Sequence, residues 1–164
     1  MPPYSSWNEF KPIILLGLNA LWDAEIIGDG FTVEVILRYI DAFTDKHRAG
    51  LSIKDFFSSV LGVEYIAPNA IGLGGASDIS YDSFRFYVSH AVDSGCRFSI
   101  ESGVGAHDGA PAIILNTAGQ SSPFVVNSVD DVLTNLEPLQ AVLHDSFIEM
   151  IERNSLVSKS IIGG

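Results

Sequence analysis

The chain has 164 residues, 47% of them hydrophobic and 18% charged, with 20 acidic side chains against 9 Lys or Arg for a net charge of −11. Such a length and apolar content support one domain with its own core and exclude a disordered chain. The acidic balance argues against direct nucleic-acid binding, which needs a cationic footprint. The single cysteine excludes an internal disulfide, and no Cys/His spacing suggests a zinc site, so no metal or other cofactor is expected.

Residues 1–6 are expected to be frayed. Ser6 and Glu9 have capping-box spacing, but Pro12 falls where a helical N–H is needed, so the first helix is predicted from about Pro12 to Ile26. Ile14, Leu18, Leu21 and Trp22 share one of its faces, while Ile13, Leu15 and Leu16 cover the other. A helix apolar nearly all round belongs inside a domain or in an oligomer contact, which makes a homodimer through it, or through the C-terminal helix, an expectation. The run Ile13–Trp22 is shorter than the ~20 residues of a membrane span. Glu9 beside Lys11 upstream of it departs from a secretory signal, so a cytoplasmic protein without membrane contact is expected.

A second helix is predicted from an N-cap at Thr32, with Val33, Ile36, Leu37, Ile40 and Phe43 as its buried stripe and Gly50 as a left-handed cap past its end. Ser52 with Asp55 forms a capping box for a short third helix that buries Phe56, Phe57, Val60 and Leu61 and stops at Gly62.

Val63–Ala67 reads as a strand, and Pro68–Asp78 as a glycine-rich connection. Gly72, Gly74 and Gly75 lack the spacing of a dinucleotide fingerprint, and no Lys-Ser/Thr follows, so a tight turn is expected there rather than a phosphate cradle. Tyr81–Asp93 fits helical and strand periods alike; its aromatic and β-branched content favours strand, with His90 in the buried row. In Cys96–Asn127, Cys96, Phe98 and Ile100 alternate with polar residues, Ala112–Leu115 is apolar throughout, and Phe124–Val126 is a short run entered through Pro123. Between the first two of these strands, residues 103–111 are expected to hang as a polar, Gly-rich loop.

Ser128 and Asp131 open a C-terminal helix whose apolar side carries Val129, Val132, Leu133, Leu136, Leu139, Val142, Leu143, Phe147, Met150 and Ile151, with a kink or restart at Glu137, just before Pro138, and a frayed tail from Asn154. The expected fold is therefore α+β in a single domain spanning 1–164: three N-terminal helices, a mainly antiparallel sheet of about four strands, and a kinked C-terminal helix packed on it. No stretch matches a family motif.

Two functional classes stay open. From Phe98 to Glu152 there is no Lys or Arg, while Asp130, Asp131, Glu137, Asp145, Glu149 and Glu152 crowd the last helix. A field of one sign attracts a basic protein partner, as an immunity or inhibitor protein attracts a basic toxin or nuclease. The alternative is a small enzyme or ligand-binding domain in which Glu101, His107 and Asp108 converge as acid, base and orienting group. Ser99 and Ser102 are its possible nucleophiles, though neither sits in an elbow motif.

Overall fold

The computed structural model describes residues 6–64, 85–91 and 96–162. Their elements run α1 (Trp7–Asp23), β1 (Phe31–Val33), β2 (Ile36–Phe43), α2 (Ile53–Ser59), β3 (Arg85–Ala91), β4 (Arg97–His107), β5 (Ala110–Gln120), β6 (Phe124–Val126), α3 (Val129–Glu152) and α4 (Ser155–Ile162). β2, β5, β4 and β3 lie in that order in an antiparallel four-stranded sheet, and β1 pairs with β6 in a separate two-stranded ribbon. The α+β class and the four-stranded sheet are as expected. None of the described helices is long and apolar enough to cross a membrane.

Where a second N-terminal helix was expected, the chain forms β1 and β2. Leu37, Tyr39, Asp41 and Phe43 make the inward row of β2, while Ile36, Arg38 and Ile40 are exposed. The same apolar residues fit a period of 3.6 or of 2, and non-local pairing decides between them. Val35 donates its N–H to Ser121 Oγ (3.1 Å) and accepts from the Ser121 N–H (3.0 Å), a bond pair that a helix could not make. Gly50 does take φ +82°, but it closes a turn rather than a helix.

The chain divides into two compact units. The first comprises Met1–Arg38, Ser89–Phe98 and Ala118–Leu143. In it, β1 and β6 pair antiparallel with Phe31 opposite Val126 and Val33 opposite Phe124. Val126 is buried there, as are Val132, Leu133, Leu136, Leu139 and Leu143 at helical spacing on α3. A Cβ on Gly119 would lie 3.0 Å from the Phe98 ring and 3.3 Å from Leu139 Cβ, so glycine lets these side chains close over β5. Helix α1 begins at Trp7, with Ser6 as its N-cap, and runs through Pro12 instead of starting there. The carbonyl of Asn8 that Pro12 leaves without a helical donor lies on the exposed flank, where water can serve it.

The second unit comprises Tyr39–Val88, Ser99–Thr117 and His144–Gly164. Its core gathers Phe43, Phe56, Phe57, Val60, Ile113, Leu115, Met150, Ile151 and Val157. The seven-residue α2 is too short to persist alone. It is fixed by the expected cap, with Ser52 Oγ accepting from the Asp55 N–H (3.1 Å), and by the complete burial of Phe56 and Phe57. The expected frayed tail is instead helix α4: Val157 is fully buried, and Asn154 Oδ1 caps the helix by accepting from the N–H groups of Leu156 and Val157. Of the strand expected at Val63–Ala67, Val63 and Glu64 have irregular backbone and the rest lies outside the described residues, as does the connection Pro68–Asp78. α3 continues through Pro138 as one helix rather than restarting there.

Candidate functional site

The stretch expected to be a loop, residues 103–111, is zipped into β4 and β5 as far as a two-residue turn at Asp108-Gly109. Asp108 has φ +50° and Gly109 φ +77°, the pair of left-handed residues that a type I′ hairpin requires and whose twist matches the strands it joins. Gly105 belongs to the strand: a Cβ there would lie 2.9 Å from Ile114 Cγ1, so its absence makes room for that side chain.

This hairpin sets Glu101 apart from the neighbouring candidates His107 and Asp108. Glu101 and His107 are six positions apart on one strand, which at about 3.3 Å per residue places their backbones about 20 Å apart. Glu101 is exposed and its Oε2 accepts from Asn116 Nδ2 at 3.4 Å. His107 Nε2 lies 3.5 Å from Asp108 Oδ2, with both side chains well exposed at the turn. Ser102 is buried and donates to the Ile114 carbonyl (3.0 Å), so its hydroxyl is a strut between β4 and β5. General acid–base work needs its groups within hydrogen-bond reach of one reacting atom, and this arrangement offers no such point.

The histidines have local roles or none visible. His90 is exposed on β3 rather than buried in the core row, and His144 is exposed on α3. His47 sits in a turn where Nδ1 meets the Thr44 N–H (3.3 Å) and its carbonyl accepts from Ser160 Oγ (2.7 Å). Among the described residues, no group of three or more His, Cys, Asp or Glu is arranged to hold a metal ion.

The acidic residues of α3 divide by role. Asp131 closes the helix start: its Oδ2 accepts from the N–H groups of Asn127 (2.8 Å) and Ser128 (2.9 Å). The Asn127 bond chiefly, with help from Ser128, holds its carboxyl below the usual carboxylate range. Glu137 is ion-paired with Lys11 of α1, a cation brought from far along the sequence. Asp130 is exposed at the N-terminus, where the helix dipole favours it. In the second unit, Asp145, Glu149 and Glu152 are all exposed at i, i+4 and i+7 on one face of the helix. Among the described residues only Glu149 has a cation near, Arg153 Nη2 at 3.4 Å, and both groups are largely solvated.

One carboxylate was not singled out by sequence reasoning. Asp41 sits in the inward row of β2, and burial pushes its pKa from 3.8 up to about 6. The signal was available only to a reading of 36–43 as a strand, where Asp41 interrupts an otherwise apolar row. Comparison of the chain with protein-family models, with curated proteins and with solved structures returns no match.

Proposed function

We propose that this chain is a non-enzymatic acidic binding protein, of the immunity or inhibitor type, that neutralises a basic protein partner such as a toxin or nuclease. The observation that carries this reading is the exposed row Asp145, Glu149 and Glu152 on the last turns of α3. Like charges at one-turn spacing repel by a few tenths of a kcal/mol per pair. The exposed Glu149–Arg153 contact offsets little of that, since solvated pairs are worth about 0–1 kcal/mol. These residues make no bond that the fold uses among the described residues, in contrast to Asp131 and Glu137. Their field acts outward, where complementary charge raises association rates and selects partners.

The test is affinity capture from native lysate with the wild-type chain and with the triple variant Asp145→Asn, Glu149→Gln, Glu152→Gln. The expected result is a basic protein retained by the wild type and lost or strongly reduced with the variant, binding more slowly as salt rises. Equal capture by both chains, or an association rate unchanged across ionic strengths, would leave the row as a solvated face and remove the reading.

A further inference from the structure

Helix α1 is the only described helix with no buried residue. Its partly buried side carries Lys11, Ile14, Leu18 and Trp22, and Lys11 reaches Glu137. On the opposite side Ile13, Leu16, Gly17, Ala20, Leu21 and Ala24 follow one another at three- and one-residue steps, the spacing of a continuous seam. All six are exposed, Ile13 at 52% and Leu16 at 72%, and between Lys11 and Asp23 the helix carries no charge. Gly17 adds an independent sign. A glycine inside a helix costs about 1 kcal/mol against alanine. Here a Cβ would meet nothing within 4 Å, so packing among the described residues gives no reason for it.

We infer that the exposed face of α1 is a self-association seam, covered by α1 of a second copy running antiparallel. A twofold axis between Gly17 and Ala20 sets Gly17 against Ala20, Leu16 against Leu21, and Ile13 against Ala24 of the second copy. Small residues thus meet at the centre, where they let the backbones approach, and a large residue meets a small one at each end. The antiparallel helix dipoles oppose favourably. Charge selects this occupant over others. A basic partner finds no acid in the seam, and a lipid surface prefers a helix flanked by several cations, where α1 offers only Lys11 on a chain of net charge −11. For two copies of so acidic a chain, an uncharged seam brings no acid directly against acid. One helix face is smaller than the ~800 Å² per partner of a standard interface, so the dimer forms at about micromolar concentrations rather than as an obligate unit.

Sedimentation velocity across about 1–500 µM tests this. The expected result is a mass rising from 17.7 kDa toward twice that value. Leu16→Glu is expected to raise the dissociation constant about tenfold or more while circular dichroism stays unchanged, since Leu16 packs on little in its own chain. Orientation is read in a Cys96→Ser background by mixing Leu16→Cys and Leu21→Cys chains, which are expected to form the 16–21 disulfide in preference to 16–16 or 21–21. Three results would overturn the inference: a monomer at every concentration, an unchanged mass profile in Leu16→Glu, or preferential 16–16 linkage. Wild-type chain that stays monomeric but pellets with zwitterionic vesicles, and no longer does so as Leu16→Glu, would assign the face to lipid instead.

Discussion

Asp41 illustrates how one side chain can set the pH response of a fold. It faces inward from β2 in line with Leu37 and Phe43, and burial alone lifts its pKa from 3.8 to about 6. Below 3.8 the group is neutral in folded and unfolded chains and costs nothing. Between 3.8 and about 6 the unfolded chain ionises first, so stability falls as pH rises, and the full cost is present above 6. At 1.36 kcal/mol per pKa unit that cost is at most about 3 kcal/mol. Asp41→Asn is therefore expected to stabilise the chain by up to about 3 kcal/mol at pH 7, with the gap closing toward pH 4. Urea denaturation of both chains at the two pH values measures it; a difference that does not change with pH would show that Asp41 is not the titrating group.

Among the elements, the β4–β5 hairpin shows what a sequence can and cannot announce. Asp108-Gly109 between two apolar-containing runs is a strong local hairpin signal, yet Gly103, Gly105 and Pro111 around it resemble loop composition, and so 103–111 was expected to be open. Across the hairpin Ile114 takes the space that a Cβ on Gly105 would fill, a cross-strand fit that composition alone does not announce. Strand geometry also spaces Glu101 from His107, two residues that an open loop would have left free to approach. β2 hid for a related reason: Asp41 breaks its inward row, so the helical period through Ile36, Leu37, Ile40 and Phe43 looked cleaner than the alternating one. The caps at Ser52 and Asp131, by contrast, were legible because each is a bond between residues three or four apart, whereas the equally local cap at Ser6 was overruled by Pro12. If the turn sets the hairpin, Gly109→Ala should cost about 1–2 kcal/mol by forcing a Cβ into the left-handed region. Asp108→Gly should change stability by only a few tenths, since glycine takes φ +50° freely. Midpoints of urea unfolding decide the matter, and an Ala variant as stable as the parent would mean the strands, not the turn, hold the register.

At the scale of the whole molecule, a net charge of −11 acts on three processes with different signs, and salt separates them. Self-repulsion opposes the compact state, so screening should raise the thermal midpoint between low and moderate salt. Association with a basic partner draws on the same field in the attractive sense, so screening should slow it. Pairing of two copies through α1 brings like-charged bodies together over an uncharged seam, so screening should tighten it. The acids that fold the chain and those that face outward also respond differently: Asp131 and Glu137 are engaged by backbone N–H groups and by Lys11, while Asp145 and Glu152 have no cation beside them among the described residues. Neutralising Asp145, Glu149 and Glu152 together should accordingly lift the low-salt midpoint slightly and flatten its salt dependence. Thermal unfolding of wild type and the triple variant at about 10 mM and 500 mM NaCl, where the Debye length falls from about 30 Å to a few ångströms, measures this directly. A wild-type midpoint that falls with added salt would mean attractive pairs such as Lys11–Glu137 outweigh the repulsion, and the outward field invoked for partner binding would lose its basis.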